Sequence, residues 1–240
     1  MSGELLAEVL TAHGGLDRWR GYREATATVT SGGEFFVLKG MPQDPAPRRM
    51  RVALHEQWAS AHPFGAPDQR SDFTVGRVAI EKLTGQVVAE NSDVRGMFTG
   101  HGLDTPWGPL HRAVFNGYAM WTYLTTPFLL AMPGFVTTET EPLEVDGETW
   151  RGLEVRFPPE VMGHSETQEF YFGPDLLLRR HDYRVDVAGG FRGVHYVYDY
   201  VESGGIKLPT RRRAYQADER NRPIFDPVMV SIDILDIAFT

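Results

Sequence analysis

The chain has 240 residues, 42% of them hydrophobic and 23% charged, with a formal net charge of −8. That acidic balance disfavours nucleic acid and anionic membrane surfaces as partners, because both select a basic face. The absence of cysteine excludes disulfides, thiolate metal sites, cysteine nucleophiles and a lipid-modified N-terminal cysteine.

Residues Ser2 to His13 read as a short amphipathic helix. Ser2 caps it, Leu5, Leu6, Val9 and Leu10 form its apolar face, and Gly14-Gly15 end it. This start has neither the basic region nor the apolar run of a secretory signal, so a cytoplasmic protein is expected. Asp17 to Tyr22 forms a second turn with Trp19 packed inward. From Glu24 the period changes to two, with Thr26, Thr28 and Thr30 alternating with Ala25, Ala27 and Val29 before a Gly32-Gly33 turn. Glu34 to Lys39 is expected to return as a strand. Pro42, Pro45 and Pro47 mark a loop, and Arg49 to His55 is a third strand. Glu56 to Asp72 mixes a short strand with a Pro/Gly loop. Phe73 to Glu90 holds strand pieces around Thr84-Gly85, and Asn91 to Asp104 is polar and Gly-rich.

Thr105 to Phe135 is the longest apolar segment. Pro106 and Pro109 suit the first turn of a helix, where an amide has no partner to lose. Leu110, Val114, Tyr118 and Trp121 then recur at helical spacing, and Pro127 and Pro133 forbid a regular helix beyond about Thr126. The uninterrupted apolar run is far short of the roughly 20 residues needed to span a bilayer, and His111, Arg112 and Asn116 lie inside the segment. The helix either fills a core or lines a pocket, and its stripe alone does not decide between them.

After Phe135 the pattern is strands and turns. Thr137 to Val145 runs into Asp146-Gly147, a strong hairpin signal, followed by Thr149 to Phe157. Then come Ser165 to Phe172, Leu177 to Val187, Gly193 to Glu202, the Gly204-Gly205 turn, Ile206 to Gln216 and Val228 to Phe239. About ten strands result. No linker or internal repeat divides them, so residues 1–240 are expected as one domain. The fold class is mainly β: a large curved antiparallel sheet, half-barrel or barrel, with a short N-terminal helix and a central helix covering the concave face. A two-sheet sandwich is the alternative.

Three stretches carry a resemblance. Ala12 to Trp19 (AHGGLDRW) resembles the start of a group of bacterial proteins with an AHGG-L-x-x-W pattern. His195 to Arg212 (HYVYDYVESGGIKLPTRR) and Val230 to Phe239 (VSIDILDIAF) resemble strands of the lipoprotein-carrier, LolA/LolB-like, superfamily of half-barrels. The resemblance implies a curved sheet around an apolar cavity, closed by helices, that holds an acyl chain or another apolar molecule. It brings no catalytic signature.

Candidate chemistry sits in three places. On the strand ending at Val187, His181 and Tyr183 share one face, and the alternating charges of Arg180, Asp182, Arg184 and Asp186 read as the solvent face. On the next strand, His195 and Val197 oppose Tyr196 and Tyr198, and either face could be inner. An inward His beside Tyr or Asp can work as an acid/base pair, or simply satisfy its hydrogen bonds in a core. His101, Asp104, Trp107 and His111 sit where a pocket mouth would be, before and inside the central helix, although Asp104 or Thr105 equally suits the role of its cap. Of Arg211, Arg212 and Arg213, strand alternation sends one inward, toward a ligand carboxylate or an acid such as Asp199 or Glu169.

The leading function is therefore the binding of an apolar or amphiphilic small molecule. Trp107, Phe115, Tyr118, Trp121 and Phe128 are expected at the wall, with His195, Tyr198 and Arg211 as further contacts. The alternative is a cofactor-independent enzyme using His101, Asp104, His181 and Tyr183, and a purely structural domain is the third reading. His55 and His62 are seven apart with no third ligand, so no metal is expected. Ser165 in GHSET lacks the second glycine of a nucleophile elbow, and no dinucleotide or phosphate-loop pattern is present, so no cofactor is expected. Nothing in the sequence fixes an oligomeric state.

Overall fold

The computed structural model describes residues 2–240; the side chain of Ser2, expected as a cap, lies outside the described residues. Two short helices, α1 (Ser2–Ala12) and α2 (Leu16–Arg20), precede the first meander. That meander runs through β1 (Glu24–Gly32), β2 (Arg48–Ala53), β3 (Trp58–His62), β4 (Gln69–Thr74), β5 (Arg77–Lys82) and β6 (Val87–Asn91). A second runs through β7 (Val136–Val145), β8 (Glu148–Arg156), β9 (Thr167–Phe172), β10 (Leu178–Val185), β11 (Phe191–Ser203) and β12 (Ile206–Ala217). A two-residue strand, β13 (Pro223–Ile224), pairs with β12, and β14 (Val230–Phe239) lies between β12 and β1. All fourteen belong to one antiparallel sheet, in the order β6-β5-β4-β3-β2-β1-β14-β12-β11-β10-β9-β8-β7. The sheet is open and curved, as a half-barrel is.

The alternation in the sequence explains the pairing. In β1 Ala25, Ala27 and Val29 are buried, while Thr26, Thr28 and Thr30 stay half-exposed. Asp146 and Gly147 take φ of 52° and 86° in the β7–β8 hairpin, as a two-residue turn of that hand requires.

The helix α4 (Pro109–Thr125) joins the two meanders in sequence and sits between them in space. Residues 112–125 are all buried, so it is enclosed on every side rather than along one stripe. One side packs on β2 to β5; there Gly117 lets the helix lie against the ring of Phe73, which a Cβ would overlap. The other side meets inward residues of β10, β11 and β12. Among the described residues, no helix is long and apolar enough to cross a membrane.

Two expectations need correction. Glu34 to Lys39 is not a strand but a helical turn, α3 (Glu34–Leu38). Gly33, at φ 117°, brings the backbone against Met229, and the amides of Glu34 and Phe35 bond Val228 O and Met229 O, both at 3.0 Å. A strand would send Phe35 and Phe36 to opposite faces; the turn buries both. Arg180 and Asp182 lie on the outer face as expected, but they are not solvated. They form a buried ion pair at 2.7 Å, covered by Asn221, whose Nδ2 donates to Asp182 at 2.6 Å.

Candidate functional site

Strand alternation places His181 and Tyr183 of β10, His195 of β11 and Arg212 of β12 on the inner face, all buried. The adjoining side of α4 supplies Tyr118 and Tyr123, and the loop before β9 supplies His164. His164 lies between the two tyrosines: Tyr123 Oη is 2.7 Å from Nε2 and Tyr118 Oη is 3.3 Å from Nδ1. A neutral imidazole satisfies both by donating to one hydroxyl and accepting from the other. Tyr183 stacks on the His164 ring at 3.9 Å. Gln168 donates Nε2 to Ser165 O at 2.9 Å, which leaves its Oε1 to accept from His181 Nε2–H at 2.7 Å.

The electrostatics of this layer oppose acid/base work near neutrality. Burial pushes His164 down to about 3 and holds His181 and His195 well below the usual histidine range. Burial also raises Tyr123 to about 12 and drives Tyr118 and Tyr183 well above the ordinary phenol value. At neutral pH every imidazole here is neutral and every phenol protonated, whereas an efficient proton shuttle needs a pKa near the working pH.

The other expected catalytic residues lie elsewhere. His101 stacks on His111 with ring centroids 5.1 Å apart, outside the inner layer. His111 Nδ1 accepts the Gly108 amide at 3.1 Å and Nε2 bonds Met97 O at 3.1 Å, so this histidine caps the helix start. Asp104 is exposed and Thr105 bonds the Gly102 amide, so neither caps α4, whose N-cap is Gly108. Phe115 separates the two groups, touching Trp107 at 5.4 Å on one side and His164 at 5.6 Å on the other.

The expected wall residues Trp107, Phe115, Tyr118, Trp121 and Phe128 are all core residues. Trp121 Nε1 donates to Ala53 O and Glu56 O at 2.9 and 2.8 Å, and Phe128 stacks on Trp19 at 4.4 Å. Tyr198 and Arg211 face outward, so they do not join the inner layer. Arg211 pairs with Asp199 at 2.7 Å and lies over the Tyr198 ring at 4.7 Å. The inward arginine is Arg212, because Val197, its partner across the ladder, is on the inner face. His164, Tyr123 and Gln168 were not singled out from sequence. His164 sits in an irregular loop, and no periodic pattern gives its direction.

The inner layer leaves little room. Two voids, of about 30 and 20 Å³, border Phe115, and the second also borders Tyr183. Both fall far short of the volume of a small-molecule site. A much larger space lies at the other end of α4. A groove of about 670 Å³ opens between the first turn of the helix and β4, β5 and β6. Met41, Phe64, Ile80, Val88, Met97 and Leu110 give it apolar walls, and Arg112 and His111 stand at its helix side. Arg112 donates Nη1 to Pro42 O at 2.6 Å and Nη2 to Asp44 at 3.2 Å, with its guanidinium over the Phe64 ring at 4.6 Å. The sequence placed His111 at a pocket mouth, but the groove itself was not legible there, because its walls come from six separate segments.

No family model matches the sequence, and no curated protein matches it. Solved structures do match in three dimensions. A LolA superfamily protein from Nitrosomonas europaea aligns with 98% of this chain and 92% of its own, at a TM-score of 0.53 and 11% identity. A putative outer membrane lipoprotein-sorting protein domain from Vibrio parahaemolyticus aligns over 99% and 91%, at 0.58 and 8%. A DUF1329 family protein from Desulfovibrio piger aligns over 99% and 92%, at 0.54 and 10%. Identities this low speak to architecture alone. Taken with the two meanders curved around one helix, they identify the fold of this chain as the LolA-like half-barrel.

Proposed function

We propose that this protein binds an apolar or amphiphilic small molecule in the groove between the start of α4 and strands β4 to β6. The observation that carries the reading is the groove itself. Its volume of about 670 Å³ falls within the range of small-molecule sites, and its walls are mainly hydrophobic with a few polar groups at one side. Its outer rim is β6, an edge strand that leaves Val87 and Val88 42% and 48% exposed. An edge with apolar side chains in solvent is a liability unless something covers them. The LolA-like fold is in keeping with this, since one structural neighbour is described as a lipoprotein-sorting domain.

Nile red, a neutral dye whose emission rises in apolar surroundings, tests the reading. It should bind with saturable, blue-shifted fluorescence. Ala89→Trp, which places an indole in the groove, should abolish that signal while leaving the thermal transition in place. Equal binding by the wild type and the variant would move the site elsewhere.

A further inference from the structure

We propose that the groove's ligand carries an anionic headgroup, and that Arg112 receives it while the hydrocarbon body lies along Phe64, Ile80, Val88 and Leu110. This rests on the reading of the groove as a binding site and adds the class of molecule.

The argument begins with charge. Among the groove's lining residues Arg112 is the one fixed charge, and no carboxylate lines it. Arg112 is only 3% exposed. A buried guanidinium is costly unless its fork of donors is matched. Here the match is incomplete. Nη1 has Pro42 O, Nη2 has one carboxylate oxygen of Asp44 at 3.2 Å, and Nε has no partner. The Asp44 carboxylate is also shared, since it accepts the Gly65 amide at 3.3 Å.

A second guanidinium adds to the excess. Arg48, 5% exposed, donates Nη1 to the Asp44 backbone carbonyl at 2.8 Å and Nη2 to the Ser31 hydroxyl. Neither contact is a carboxylate. Two buried arginines thus face one acid, which leaves a local positive charge in a protein whose net charge is −8.

Geometry points that charge toward the groove. Gly65 lines the groove beside Arg112, and a Cβ built on it would lie 4.0 Å from Nη2. With no side chain at Gly65, no Cβ stands between this edge of the guanidinium and the groove that both residues line. A carboxylate or phosphate arriving there would make charge-assisted hydrogen bonds at the end of an apolar trough. A neutral lipid would leave the charge as it is.

The test compares dodecanoate with dodecanol, both below their aggregation limits, as competitors of bound Nile red. Acetate and inorganic phosphate serve as headgroups without a tail. Dodecanoate should displace the dye at least about tenfold more effectively than dodecanol. Acetate and phosphate should fail at equal concentration. Arg112→Met should bring the two amphiphiles to parity. Asp44→Asn, which removes the competing carboxylate, should strengthen dodecanoate several-fold and leave dodecanol unchanged; this variant carries the test if Arg112→Met does not fold. Equal competition by dodecanoate and dodecanol in the wild type would overturn the headgroup assignment and leave the groove standing. Displacement by acetate or phosphate as strong as by dodecanoate would overturn it in favour of a free-anion site. Failure of Nile red itself to bind would remove the groove and this assignment together.

Discussion

Arg212 donates Nη2 to the backbone carbonyl of Tyr123 at 2.9 Å, and its guanidinium lies over the ring of the same residue at 4.8 Å. The carbonyl belongs to the last turn of α4, where intrahelical partners run out and the helix dipole is negative. A cation from β12 therefore closes the helix end from inside the sheet. No acid bonds Arg212 among the described residues, and burial pulls it down to about 10. Arg212→Ala should cost about 2–4 kcal/mol, from the cavity and the unpaired carbonyl together. Arg212→Met keeps most of the volume and removes a buried charge, so its cost should be about 1 kcal/mol or less. Urea unfolding of both variants gives the comparison, and equal losses would refute this account.

Acid should weaken the fold early. His13 is pushed down to about 4 and His164 to about 3, and His181 and His195 are held well below the usual range, all by burial first. In the unfolded chain each titrates near 6.5. The unfolded state then binds more protons, so stability is full above about pH 6.5 and falls as pH drops toward the folded values. Each histidine contributes up to about 1.4 kcal/mol per pH unit in that window. Stability measured between pH 7 and 4.5 should decline steeply, and His164→Gln should flatten the slope by close to one proton. An unchanged slope would argue against His164 being neutral in the folded protein.

Gly117 tests how tightly the sheet grips the helix. Alanine favours a helix over glycine by about 1 kcal/mol. Here its methyl would overlap the Phe73 ring, so Gly117→Ala should instead destabilise by about 1–3 kcal/mol. Adding Phe73→Leu should recover part of the loss, a coupling that a double-mutant cycle by chemical denaturation would reveal.

Trp121 should behave as a structural residue. Its indole N–H serves two carbonyls, Ala53 O and Glu56 O, where β2 ends. Trp121→Phe should cost about 1–3 kcal/mol through the unpaired carbonyls and Trp121→Ala about 3–5 kcal/mol. Nile red affinity, measured below the unfolding temperature, should not change with Trp121→Phe. A loss of dye binding in that variant would extend the site into the core.

The sheet was legible where side chains alternate, and the helix where proline bounds it. Pro109 and the apolar run to Thr125 gave α4 nearly residue for residue. Strand parity also put His181 and Tyr183 inside. What escaped depends on long-range approach. Phe35 and Phe36 read as a strand because the backbone contact of Gly33 with Met229 is not written in neighbouring residues. The inward side of β11 was undecided because both faces carry aromatics, and Arg212 rather than Arg211 follows only from the register with Val197. The same limit applies to the groove, whose Arg112 read merely as a polar interruption of an apolar helix.

The position of β14 bears on the order in which this chain acquires its shape. Each meander pairs strands that are neighbours in sequence, and each can zip as it leaves the ribosome. The join cannot. Residues 25–32 of β1 wait for 231–239 of β14, and β14 must also find Arg211 to Ala214 of β12. Two hundred residues of separation make this the entropically slowest pairing in the molecule. Until it forms, α4 has walls on either side but nothing holding them together. In the finished sheet β14 is therefore the clasp that holds the two half-shells around the helix.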